Sequence, residues 1–382
     1  MQSIGLFLAE SPWGSIDEEA MGKGLGGRET ALVHLAVEWA KLGYDVYAFV
    51  PRDDHGIRRV DNLRFIPNGY VVEMGVALDL DLFVSWENTQ VLAEMREAGF
   101  RGVTAIEMQV AHLESEVPVS EVADHVCVLS DWAGRFFLKQ HPDCAGRMLV
   151  FPNGVVTERF TRARAHAGEL PAEENQDASD FHFIYSSSPD RGLHHLLRIW
   201  PDIQTAVMSE YETGAHLHIC YGAENFVAGS QWSHREDGLR AVEIRNLINQ
   251  PGVVYHGKIG QNELASLMVD CDAMLYPCDT MSPTETGCIS IVEALAAGTP
   301  VITTDCDCIG EDYDEVTAQV PLPFDEKAYV DRIIDTLNPE DYQARQEAGI
   351  EFAKDRDWAV IAQDWADYFS DVIALQREKV AA

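Results

Sequence analysis

Apolar residues in the stretch 282–303, SPTETGCISIVEALAAGTPVIT, change their period once. Ile289, Val292, Leu295 and Ala296 recur at helical spacing and predict a helix with one apolar face. Gly298, followed by Thr299 and Pro300, ends it, because glycine accepts a left-handed cap and proline cannot continue a helix. Val301, Ile302 and Thr303 are β-branched and predict the next strand. Loop, helix and strand in that order make one unit of a doubly wound sheet. The unpaired N–H groups at the start of the helix, near Gly287, Cys288 and Ile289, form a site suited to phosphate.

The same alternation runs along the chain. Strands are predicted at 4–9, 46–50, 82–86, 102–106, 126–129 and 149–151. The glycine-rich turn 22–28, GKGLGGR, leads into a helix whose buried stripe is Ala31, Leu32, Leu35, Ala36 and Trp39, with Leu42 one turn on. A helix is predicted at 89–98, and another runs to 139 behind Ser130 as N-cap. Residues 161–180 lose periodicity and read as a linker or insertion. A second domain then opens with strand, polar turn and helix (FHFIYSSSPDRGLHHLLRIW), followed by a strand at 253–256, a helix at 261–269 and a strand at 273–276. The tail is helical from 341, with Trp358, Ile361, Trp365, Tyr368, Phe369 and Ile373 marking one face. The domain reading is therefore 1–160, a connecting 161–180, 181–355, and a C-terminal helix at 356–382.

Composition narrows the function. With 63 acidic against 28 basic residues, the formal charge of −35 argues against nucleic acid and against docking on anionic membranes. No run approaches the ~18 apolar residues of a membrane span. The eight cysteines include no Cys-x2-Cys pair, so neither structural zinc nor a redox dithiol is indicated; buried thiols in a reducing cytoplasm are expected. The pairs Asp79/Asp81 and Asp305/Asp307 are short enough to arise by chance in so acidic a chain and are not assigned a metal.

The chemistry gathers on a few side chains. Glu285 stands at the mouth of the loop before the 289 helix, and Glu293 lies about 6–8 Å farther along its axis. A diphosphate on the helix tip would have one carboxylate on each flank, which suits a nucleotide-sugar with hydroxyls at both ends. Arg191 precedes Gly192 at the start of another helix, where a planar guanidinium meets phosphate oxygens bidentately. Lys258 follows a strand's carboxyl end, where open α/β sheets place ligands. Gly26 and Gly27 occupy the phosphate-approach turn after the first strand, without the GxGxxG spacing of a nicotinamide site. Asn153-Gly154 is read as a structural turn.

The eight-residue spacing of Glu285 and Glu293, with EALAAGTPVITTD behind it, resembles the Glu-x7-Glu signature of retaining glycosyltransferases, family 4, also called glycosyl transferases group 1. That resemblance implies the GT-B fold: two Rossmann-like, doubly wound parallel-sheet domains facing a central cleft, with the C-terminal helix crossing back to the first. It implies that Glu285 binds the transferred sugar, Glu293 the nucleotide ribose, and Arg191 the diphosphate, with Gly26 and Gly27 facing it. Ser188, Thr286, Gly287, Cys288 and Ile289 are counted with the donor-binding residues. The expected partners are a UDP- or GDP-sugar donor and a carbohydrate or small-molecule acceptor, with no cofactor and no metal. The chain departs from the family in lacking a second upstream arginine, its place filled by Tyr185–Ser188 residues. Where relatives carry a histidine after the 102–106 strand, it reads AIEMQVAHLE; His112 is not counted as catalytic. Two alternatives stay open: a non-catalytic nucleotide- or carbohydrate-binding protein, and a nucleotide-sugar epimerase on the same fold.

Overall fold

The computed structural model describes residues 2–54, 56–113, 115–166, 180–221, 235–280 and 282–381. The chain forms two compact units, Met1–Gly154 with Arg356–Ala382, and Val155–Asp355.

In the first unit the strands are β1 (Ser3–Phe7), β2 (Asp45–Val50), β3 (Arg58–Val60), β4 (Leu63–Pro67), β5 (Leu82–Trp86), β6 (Val103–Met108), β7 (His125–Val128) and β8 (Met148–Val150). They lie in the order β3-β4-β2-β1-β5-β6-β7-β8, parallel except for the β3–β4 pair. The helices α1 (Gly27–Lys41), α2 (Val71–Ala77), α3 (Thr89–Glu97), α4 (Val119–Val122) and α5 (Asp131–Gln140) connect them. β5 and β6 are buried along their whole length, as strands covered on both faces must be. Ser130 caps α5 by accepting from the Ala133 N–H. The α1 stripe is buried as predicted, but Leu42 is exposed, since it is the capping residue after the last turn. The turn 22–28 is shorter than predicted: α1 already begins at Gly27. The β3–β4 hairpin and α2, absent from the sequence reading, are short and mixed in polarity.

The second unit contains β9 (Phe181–Tyr185), β10 (Ala215–Cys220), β11 (Val253–Gly257), β12 (Ala273–Tyr276), β13 (Val301–Thr304) and β14 (Ala318–Val320). Their order is β11-β10-β9-β12-β13-β14, all parallel. Its helices are α6 (Thr157–Ala165), α7 (Leu193–Tyr211), α8 (Arg235–Leu247), α9 (Gln261–Asp270), α10 (Ile289–Ala297), α11 (Ile309–Asp312), α12 (Glu326–Thr336) and α13 (Pro339–Lys354). The boundary differs from the predicted one. Residues 157–165 form a helix of the second unit, where Phe160 is buried, so the first unit ends at Gly154 and the linker does not begin at 161. The remainder of the predicted linker, 167–179, lies outside the described residues.

Helix α14 (Trp358–Ala381) returns to the first unit. The Trp39 indole donates to Ala362 O at 3.1 Å and meets Trp365 edge-on at 5.6 Å, while Trp358 stacks on His34. Both sheets reverse their winding once, between β1 and β5 and between β9 and β12. In open α/β sheets ligands bind at the carboxyl ends of such strands.

Candidate active site

The residues bet on from the sequence fall mainly at the β9/β12 reversal. β9 ends in a turn closed by the Arg191 N–H donating to Ser188 O at 3.0 Å. Gly192 follows with φ +92°, and a Cβ there would come within 1.8 Å of Pro277 O. Only glycine lets the turn after β9 lie directly against the backbone leaving β12. That approach brings Arg191 to Glu285: Nη1 donates to Oε2 at 2.6 Å.

Glu285 is buried, and its loop is fixed from several sides. Tyr276, the last residue of β12, donates its hydroxyl to the same Oε2 at 2.6 Å, and Ser187 donates to the Tyr276 oxygen at 3.2 Å. Asp307, at φ +51°, accepts through Oδ2 from the Glu285 N–H, the Thr284 N–H and the Thr280 hydroxyl, each at 3.0 Å. Burial opposes the Arg191 charge, but Glu285 and then Tyr276 and Asp190 overcome it, holding the guanidinium pKa well above its ordinary value. Burial pushes the Tyr276 hydroxyl far up, so it stays a donor.

Cys288 is the N-cap of α10, with Thr286 and Gly287 leading in and Ile289 first in the helix. Ser290 donates to Ser186 O at 2.8 Å, tying this helix tip to the turn after β9. Glu293 sits one turn inside α10, buried, with Arg159 of α6 as its facing cation. Burial raises its carboxyl to about 7 against the opposing pull of Arg159. Ser188 is engaged locally, its hydroxyl bonded to Asp190.

Three predicted residues stand on other elements. Lys258 is exposed after β11, an edge strand three places from β12, or about 14 Å at the ~4.8 Å strand spacing. Gly26 caps α1 in the first unit with Gly27 behind it, and a Cβ on Gly26 would come within 2.7 Å of Glu29 Oε2 and Trp13 Nε1.

Tyr276, Asp307 and Arg159 were not singled out as site residues. A tyrosine closing an otherwise apolar strand just before a proline was the available signal for Tyr276. Asp307 was weighed only as half of a metal pair; it is a clamp for the Glu285 loop. All eight cysteines are buried and free, and Cys278 and Cys306 share a thiol hydrogen bond. Among the described residues no helix is long and apolar enough to cross a membrane.

Residues 181–339, which contain every member of this group but Arg159, match the family described as glycosyl transferases group 1. The whole chain has the GT-B fold, as three solved structures illustrate. A sucrose-phosphate synthase from Thermosynechococcus elongatus is 18% identical with a TM-score of 0.71, covering 98% of this chain and 100% of its own. A glycosyltransferase from Rickettsia africae is 11% identical with a TM-score of 0.66, covering 97% and 98%. The trehalose-6-phosphate enzyme from E. coli, bound with UDP-2-fluoro glucose, is 11% identical with a TM-score of 0.64, covering 96% and 99%. A search of curated proteins by sequence gives no match.

Proposed function

We propose that the chain is a retaining, metal-independent glycosyltransferase that moves a sugar from a nucleotide-diphosphate donor, UDP- or GDP-linked, to an acceptor hydroxyl. The observation that carries this reading is the buried Arg191–Glu285 pair at the β9/β12 reversal, beside the N-terminus of α10, in a segment of the glycosyltransferase family. The hard step is departure of the nucleotide diphosphate as the anomeric carbon becomes cation-like. Arg191 and the amides at Gly287, Cys288 and Ile289 are positioned to stabilise charge gathering on that leaving group. One preorganised donor of this kind lowers the barrier by roughly 3–4 kcal/mol. When donor binds, the Arg191 guanidinium is shared between Glu285 and the phosphate, and Glu285 takes hydrogen bonds from the sugar hydroxyls. Glu293, ionised, accepts the ribose hydroxyls. Ser188 and Thr286 line the donor end. Lys258 enters the reading only as a phosphate contact at the β11 edge. With no carboxylate assigned as nucleophile, the donor phosphate takes the acceptor's proton on the same face, which retains the anomeric configuration.

A thermal-shift panel of UDP-, GDP- and ADP-sugars tests donor binding. A ligand at a hundred times its dissociation constant stabilises by about 2.7 kcal/mol. The stabilising donor, offered with a panel of sugar acceptors, is expected to yield a product whose anomeric proton coupling matches the donor's. Binding without turnover would replace this reading with the binding-only protein, and conversion of the donor sugar without acceptor would replace it with an epimerase. A panel in which nothing binds would remove all three.

A further inference from the structure

One half-buried cluster beside the proposed glycosyltransferase site is not used by that chemistry. Gly192 starts α7 so close to Pro277 that the first turn of the helix lies against the strand exit of β12. His194 and His195 therefore meet Asp279, and one ligand atom from each of the three lies within 4.8 Å of the others. The two imidazole rings are 4.0 Å apart between centroids.

Their hydrogen bonding is incomplete. His195 Nε2 pairs with Asp279 Oδ2 at 2.8 Å, yet Nδ1 of His195 and Nδ1 of His194 are both buried without a partner. His194 is 4% exposed. A buried polar nitrogen left unpaired is costly, and two side by side call for a third party. We propose that His194, His195 and Asp279 form a binding site for a divalent transition metal of zinc's class.

The donor set suits that class. Two imidazoles and one carboxylate are the ligand types of Zn²⁺, whereas Mg²⁺ and Ca²⁺ take oxygen ligands. Ligating histidines must be neutral, and burial first, then His195, Arg240 and Arg198, pull His194 down to about 3. The charges facing the cluster are mixed. Arg240 donates to Asp279 O at 2.8 Å and stands 3.5 Å from its Oδ2, the position of an outer-layer group that orients a ligating carboxylate. Arg198 is itself paired with Glu243 and Glu326. In the metal-free state the His195 N–H donates to Asp279. On binding, that proton moves to His195 Nδ1, freeing Nε2 and Asp279 Oδ2 as ligands, so the ion gains two nitrogen bonds and one oxygen bond with no net proton release and no redox change. Asp279 begins the loop leading to Glu285, and His194 follows Arg191 by three residues, so the ion would brace both segments of the active site from behind.

The test uses the full chain stripped with chelator, titrated calorimetrically with zinc sulfate near neutral pH. One ion per chain is expected, with a heat that does not change with buffer protonation enthalpy, and no binding of Mg²⁺ under the same conditions. His194→Gln, His195→Gln and Asp279→Asn should each weaken binding at least tenfold. Because other histidines and the cysteines also attract zinc, Co²⁺ provides a second reading. The native chain is expected to show d–d bands without thiolate-to-cobalt charge transfer, and these bands should vanish in the His194→Gln/His195→Gln variant. That spectrum is read even if a variant folds poorly, because the native ligand type is visible directly. Absence of stoichiometric binding, unchanged affinity in the three variants, or a thiolate spectrum would each overturn the proposal.

Discussion

The Tyr276 hydroxyl and the Arg191 guanidinium both donate to one oxygen, Glu285 Oε2, each over 2.6 Å. Tyr276 is fully buried, so its hydroxyl has no water to fall back on. Tyr276→Phe should keep the fold and leave Glu285 one donor short. A hydrogen bond to a charged group is worth about 1.5–3 kcal/mol. If the carboxylate must be aimed for sugar transfer, kcat should fall roughly 10-fold or more while KM for the donor changes little. Steady-state kinetics with melting curves decide it; an unchanged kcat would make Tyr276 a packing residue.

Removing Arg191 strands a buried carboxylate. Breaking a buried pair from one side typically costs about 3–5 kcal/mol, whereas removing both partners costs less than the two single changes together. Arg191→Met should therefore lower the unfolding free energy by roughly 3 kcal/mol, and the Arg191→Met/Glu285→Gln double variant should recover a good part of it. Urea unfolding of the four proteins in the cycle measures this. Additive losses would show that the pair is not coupled. If Arg191 and Glu285 meet the donor as proposed, both variants should lose turnover by roughly 100-fold or more.

Gly154 is set by packing rather than chemistry. A Cβ there would approach Trp358 Cδ2 at 2.8 Å and Arg356 O at 2.9 Å. The neighbouring Asn153 and Gln109 side chains bond each other twice, at 3.0 and 3.1 Å, and Gln109 also donates to Glu107 at 2.9 Å. Gly154→Ala should push the start of α14 off the first sheet and cost about 1–3 kcal/mol, the usual range for overpacking. Calorimetry checks it, and the donor-binding shift per mole of nucleotide-sugar should be unchanged.

How much of this was legible in the sequence follows from the range of each contact. Glu285 and Arg191 were readable because each stands at a punctuated boundary, one before a helix and one before Gly192. Strand periods supplied most of both sheets, and failed at β3 and β4, where charged and apolar residues mix, at β10, where histidines interrupt the apolar run, and at the three-residue β14. Tyr276 hid inside a buried strand, where an aromatic residue reads as core. Asp307 acts through backbone N–H groups more than twenty positions upstream, a pairing that spacing alone cannot reveal. The strand predicted at 102–106 runs on to Met108, so Glu107 is a buried strand residue, its carboxyl raised well above the usual range by burial first and Glu87 second.

If Glu293 grips the donor ribose as proposed, donor binding depends on pH in a definite direction. Its folded pKa of about 7 lies above the ordinary 4.5, from burial first, with Arg159 pulling the other way. A carboxyl raised on folding binds an extra proton in the native state, so stability is lost as pH rises from about 4.5 through 7 and stays level above. At 1.36 kcal/mol per unit, the rise corresponds to about 3 kcal/mol at full ionisation. Glu293→Gln should remove that slope and raise the melting temperature at pH 8, with little change at pH 5. Ribose hydroxyls donate, so the ionised form is the one that binds. Affinity for a nucleotide-sugar, whose diphosphate stays charged across this range, should rise between pH 6 and 8, values chosen roughly one unit either side of the folded pKa. The same titration with Glu293→Gln should be flat and weaker at the alkaline end. A parallel rise in both proteins would assign the dependence to another group, and a fall in the native protein would mean that the neutral carboxyl is the binding form.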